Sequence, residues 1–177
     1  MFKAIFSKYS IENSKESREY FEFVKDLLEH EVVSEMKNYK HHYSTTCYQH
    51  CINVSYYNYL VCKKLGLNAR SAARAGMLHD LFLYDWRDNP RKKGELPHGF
   101  THPKLALKNA KEHFELGKLE EDMIVCHMWP LTVKFPKYAE SYVIVVIDKY
   151  AAILELGTHC KNKMMHSIRN ITGKKAS

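Results

Sequence analysis

The chain has 177 residues, 45% hydrophobic and 27% charged, which suits one globular domain with a core and is too short for two comfortable ones. Its net charge of +7 favours polyanions in general. The basic residues are dispersed, however, and dense only in RKKGE at 91–95 and in the C-terminal tail, so nucleic acid is not expected as a partner.

In chain order, MFKAIFSKYSIENSKES has no sustained apolar region of the kind a secretory signal needs. Tyr20, Phe21, Val24, Leu27, Leu28, Val32 and Met36 then recur at the helical period, which predicts one helix over 17–38. Ser44, Thr45 and Thr46 offer N-caps for a second helix that runs to Leu65, with Gly66 as its stop. A third helix is predicted from Ala69 into HDLFLY, followed by a polar loop with Pro90, Gly94, Pro97 and Gly99. His102 falls at the N-cap of a fourth helix, with Pro103 at its first position and Gly117 closing it. A short fifth helix, LEEDMIVCHM, ends at Trp129-Pro130. The last runs from Glu140 to Leu156 and closes at Gly157. Its YVIVVI segment has strand propensity, but the face made by Val143, Val146, Ile147, Tyr150, Ala151 and Leu154 keeps it helical. That segment stops at Asp148, far short of a membrane span. Five cysteines, an odd number scattered in apolar helical context, read as reduced thiols of a cytoplasmic protein. The expected architecture is a single all-α bundle over 1–177, with about six to eight helices around a central cleft and a basic tail at 168–177.

Polar residues interrupt the apolar pattern in five successive elements. His50 lies among core-facing residues, and His79 and Asp80 sit in the middle of RAGMLHDLFLYDWR. His102 and His127 mark helix ends, and Asp148 breaks an apolar face. Any one buried imidazole is an ordinary core residue, but buried ionisable groups need partners. The partner that serves four imidazoles and two carboxylates together is a metal centre.

The order His50, HD at 79–80, His102, His127 and Asp148 resembles the HD superfamily of metal-dependent phosphohydrolases, over roughly residues 44–156. The two histidines between HD and the final Asp are similar to the branch that holds two metals, which includes small nucleotide and dinucleoside polyphosphate hydrolases. The resemblance implies an all-helical fold in which His50, His79, Asp80 and Asp148 hold one metal. Asp80 would bridge to a second, held also by His102 and His127, so that Asp80, His102 and His127 carry the catalysis. Imidazoles with carboxylates suit Fe, Mn, Co, Ni or Zn. Two such ions make hydroxide available near neutral pH and neutralise phosphoryl oxygens. The implied activity is cleavage of a phosphomonoester or phosphoanhydride of a nucleotide or small phosphorylated metabolite. The alternative is a catalytically silent, metal-containing domain that binds nucleotide or nucleic acid.

The sequence departs from the family after HD. Many members continue with a small residue and a Lys, whereas here the run is HDLFLYDWR. Arg74 and Lys149 are the cations that could replace that Lys, with Arg87 and Lys134 as looser options. Trp129 could stack a base, and His98 in PHGFTHP could add a ligand or an acid/base group. No membrane partner is expected, and a homodimer is allowed by the exposed aromatics.

Overall fold

The computed structural model describes residues 15–41, 45–87 and 94–173, with side chains as far as 165. Residues 1–14 of the segment read for a secretory signal, Ser44, most of the basic RKKGE run and residues 174–177 lie outside the described residues. Seven α-helices make a single all-α domain, with no strand among the described residues.

α1 (Lys15–Leu28) turns Tyr20, Val24, Leu27 and Leu28 into the core. The helix expected over 17–38 is broken after Leu28. His30 takes an extended backbone, and its Nδ1 accepts the amide proton of Val32 at 3.2 Å, capping α2 (Glu31–Glu35). A 3-10 turn, Met36–Asn38, follows. The apolar spacing continues through the break, so the pattern does not show it. The side chain of His30 does, by competing for a backbone donor.

α3 (Cys47–Lys64) begins and ends as the sequence predicts. Thr46 Oγ1 accepts the amide of Gln49 at 3.2 Å, and Gly66 takes a φ of +69° beyond the last turn. α3 is buried almost all round and packs against α4 (Ala69–Leu78) and α7 (Ala139–Gly173). α4 approaches it closely because position 76 is glycine; a Cβ there would lie 2.6 Å from Ser55 Cα.

The helix predicted through HDLFLY stops at Leu78 instead, with His79 as its C-cap. Neighbouring elements take the carbonyls that a continuing helix would use. Cys47 Sγ contacts Asp80 O at 3.2 Å, and Asn109 Nδ2 donates to Leu81 O at 2.7 Å. Leu83 turns the chain away at a φ of 54°.

α5 (His98–His113) starts five residues earlier than expected, behind Pro97, so His102 is inside the helix and not its cap. It ends at His113. Gly117 caps the start of α6 (Lys118–Cys126), where its amide donates to Glu120 Oε2 at 2.8 Å. α7 confirms YVIVVI as helix but passes straight through Gly157 to Gly173. The core, with Leu27, Met36, Ile52, Tyr59, Met77, Leu78, Phe82 and Ile124 fully buried, lies under and beside α3. Burying each such side chain stabilises the fold by about 1.5–3 kcal/mol.

Candidate metal centre

The helices bring the six polar residues to one place. His50 comes from α3, His79 and Asp80 from the end of α4, His102 from α5, His127 from the end of α6 and Asp148 from α7. Asp80 sits in the middle. Its Oδ1 lies 3.2 Å from His102 Nε2 and 3.5 Å from His127 Nε2, and its Oδ2 lies 3.5 Å from His79 Nε2 and 3.9 Å from His50 Nε2. Asp148 Oδ1 closes the other side, 3.0 Å from His50 Nε2 and 3.7 Å from His79 Nε2.

Each imidazole is oriented from behind. Nδ1 of His79 donates to Gly76 O, that of His102 to His98 O and that of His127 to Ile124 O, all at 2.8 Å. Nδ1 of His50 donates to Glu155 Oε1 at 3.0 Å. With the proton on Nδ1, a neutral ring turns an Nε2 lone pair toward the carboxylates, which is how metal-binding histidines are commonly held.

The donor set fits a cation. Nε2 of His102 and Nε2 of His127 are 2.8 Å apart, and two lone pairs at that distance repel unless a proton or metal ion lies between them. His79 Nε2 is buried with no hydrogen-bond partner among the described residues. Among the described residues, three overlapping groups have ligand atoms within 4.8 Å of one another and could hold a metal ion: His50–His79–Asp148, His79–Asp80–His127 and His41–His50–Asp80.

The protonation pattern has the same origin. Burial alone would raise the Asp80 carboxyl, but the imidazoles of His79 and His41, with hydrogen bonds from His102 and His41, hold it well below the carboxylate range. Burial is likewise outweighed at Asp148, by His50 and His79, leaving it well below its ordinary value. Burial opposes charge on His50, yet Asp148 and Glu155 raise it well above the usual imidazole value. Asp80 raises His102 in the same way. Burial, with the charges of His79 and His102, pushes His127 down to about 3. A metal ion held here would displace protons, from His50 and His102 above all.

Two residues that the sequence reading missed belong to this centre. His41, in the segment before α3, places Nε2 2.6 Å from Asp80 Oδ2 and stacks on His50 at 4.1 Å. Its only sequence signal is the HH pair nine residues ahead of His50. Glu155 is buried one helical turn past Ala151, and Asn53 Nδ2 also donates to its Oε1, at 2.8 Å. An apolar–acidic alternation on α7 is the only hint of it.

A cavity of about 440 Å³ reaches the cluster, with Lys149, Trp86, His98 and Met128 on its outer wall. Lys149 is thus at the pocket, and its Nζ donates to Val145 O at 3.1 Å. His98 is there too, stacked between Trp86 and His102 with Nδ1 2.8 Å from Tyr84 OH. Burial and the charge of His102 push it down to about 4. The other candidates are elsewhere. Arg74 lines a separate polar cavity, bonded to Phe23 O at 3.0 Å and Asp26 Oδ1 at 2.6 Å. A buried Arg facing two acids is a brace between α1, α4 and α6. Trp129 packs on Phe135 and Tyr142. Lys134 lines a third, apolar cavity, and Arg87 donates to His41 O while lying over the Trp86 ring.

Residues 47–153, more than half of the chain, match the family model of the HD domain. The chain belongs to the HD domain family. No curated protein and no solved structure matches it. This HD domain therefore falls in a superfamily of metal-dependent hydrolases, and its His/Asp clusters could hold divalent metal ions. Where many HD domains have a small residue and Lys, this one has Phe82, packed edge-on against His98 and His102, and the turned Leu83.

Proposed function

We propose that this HD domain is a hydrolase for a phosphomonoester or phosphoanhydride of a nucleotide or another small phosphorylated metabolite, working with two divalent transition-metal ions. The observation that carries the reading is the convergence of four oriented Nε2 atoms and two carboxylates, held ionised, at the floor of a cavity open to solvent. His50, His79, Asp80 and Asp148 would hold one ion, and Asp80, His102 and His127 the second. Bound there, the ions supply a nucleophile from water near neutral pH and neutralise phosphoryl oxygens.

The chain's own residues do the rest. Asp80 supplies one oxygen to each side of the cluster and so fixes the spacing between the two positions. Gly76, His98 and Ile124 carbonyls and the Glu155 carboxylate keep the Nδ1 protons in place and the Nε2 atoms free. Lys149, the cation on the outer wall, binds a phosphate oxygen. His98 stays neutral near pH 7, so it walls the pocket with Trp86 and donates no proton to the leaving group. The cavity accommodates a mononucleotide-sized molecule better than a long dinucleotide, since small-molecule sites span about 300–1,000 Å³ and this one is at the lower end.

The test pairs elemental analysis with a phosphate-release screen over nucleotides and sugar phosphates. The purified protein is expected to carry about two ions per chain and to release phosphate from at least one compound. Asp80→Ala should lose both. Unchanged metal content in Asp80→Ala refutes the ligand assignment. A metal-loaded sample that binds nucleotide but turns over nothing across the panel refutes the catalytic reading in favour of a silent binding domain.

A further inference from the structure

The last helix is longer than the domain needs. α7 stays helical to Gly173, yet from Leu156 to Met165 none of its residues is buried. A helical extension without tertiary support is marginal in water. The exposed side of α7 is also apolar. Tyr142, Val146, Tyr150, Ile153, Leu156 and Met164 are between 38% and 66% exposed. Val146, Tyr150, Ile153, Gly157, Cys160 and Met164 recur at alternating spacings of four and three, the pattern of a helix that packs along another helix. Asp148 and Glu155, which α7 turns into the metal centre, are on the other side, and its buried Glu140 accepts from the Asn68 amide.

Area tells what size of partner the stripe requires. At about 150–250 Å² for a fully exposed large side chain, the six exposed residues leave roughly 600 Å² of apolar surface in water. Exposed patches on monomers are usually about 300–600 Å², whereas a standard interface buries about 800 Å² per partner. Phe135, 66% exposed, adjoins the same end of α7 through Trp129 and Tyr142 and brings the total close to that size.

Gly157 adds an independent sign. A glycine in the middle of a helix is costly compared with alanine. Nothing among the described residues requires it, because a Cβ at 157 would meet none of their atoms within 4 Å. The space it leaves is on the exposed stripe, where a second helix could approach closely.

We infer that the exposed face of α7 is a self-association surface, on which a second copy of this chain lays its own α7. Lys149, Lys161 and Lys163 form a basic rim around an apolar centre, the usual layout of an interface. Two basic rims repel, so the dimer should tighten as salt rises from ~0.1 M to ~1 M and the Debye length falls from about 10 to about 3 Å. Docking of the same face on an anionic surface would weaken instead.

Sedimentation equilibrium of the full chain, over roughly 1–100 µM, tests this. The wild type should have twice the chain mass at the upper concentrations. Ile153→Glu should raise the dissociation constant at least tenfold without changing the far-ultraviolet circular dichroism or metal content. Gly157→Gln should also favour the monomer while raising its thermal midpoint, a combination that misfolding cannot give. The proposal is overturned by a wild-type monomer at every concentration, including one that binds vesicles of anionic phospholipid through this face. A dimer indifferent to both substitutions, or one that weakens with salt, overturns it equally.

Discussion

Glu155 offers the sharpest check on how the centre is held. Its Oε1 accepts from His50 Nδ1 at 3.0 Å and from Asn53 Nδ2 at 2.8 Å. Burial raises the carboxyl, but His50 and Asn53 outweigh it, so the group is ionised and its charge makes His50 a stronger ligand. In Glu155→Gln the amide oxygen can keep both bonds, but the charge is gone. The new NH₂ would replace Oε2, which is buried without a hydrogen-bond partner among the described residues. Neutral hydrogen bonds are about half as strong as charge-assisted ones, so each bond loses about 1 kcal/mol. Disturbing such a supporting contact costs about 10–100-fold in metal affinity, which corresponds to about 1.4–2.7 kcal/mol. The assay strips the protein with a chelator and titrates Co²⁺ or Zn²⁺ back against a chromophoric competitor. In parallel, the rise in thermal midpoint on adding metal should shrink by roughly 3–10 °C, at about 2–4 °C per kcal/mol for a domain of this size. A metal affinity within threefold of wild type, when His50→Ala lowers it strongly, would refute the reasoning and leave Glu155 as packing alone.

Three further outcomes follow from the geometry. Arg74→Met should destabilise the fold by about 2–4 kcal/mol in urea unfolding, because it removes two hydrogen bonds and leaves the buried Glu120 carboxylate with the Gly117 amide but no cation, with KM unaltered; a raised KM at unchanged stability would put Arg74 back in the pocket. Lys149→Gln should do the reverse, raising KM for the phosphorylated substrate about three- to tenfold with thermal stability unmoved. Burial favours the neutral form of Asp26, but Arg74 prevails and depresses its carboxyl below the ordinary 3.8. A depressed folded-state value contributes stability above the unfolded one that is lost as pH falls through the folded one. Stability curves of wild type and Asp26→Asn should therefore differ at pH 5 and converge in strong acid, and parallel curves down to the lowest pH would contradict that sign.

The sequence by itself determined the helical class and the identities of the six clustered residues. Both are local facts: apolar spacing at 3.6 residues, caps such as Thr46 with Gly66, and ionisable groups set where an apolar residue was due. Boundaries were less legible wherever tertiary contacts replaced local ones. α4 ends at Leu78 because Cys47 and Asn109 take the carbonyls beyond it, and the break at His30 depends on one side chain turning back to an amide. Gly157 misled for the opposite reason, since a glycine stops a helix only if the chain turns there. Arg74, Lys149 and Trp129 were equal as isolated letters, and only packing sent one to a brace, one to the pocket and one to an aromatic cluster. His41 and Glu155 were invisible for the same physical reason. Their roles come from contacts across 39 and 105 residues of chain, to Asp80 and His50, and no local periodicity encodes a partner that far away.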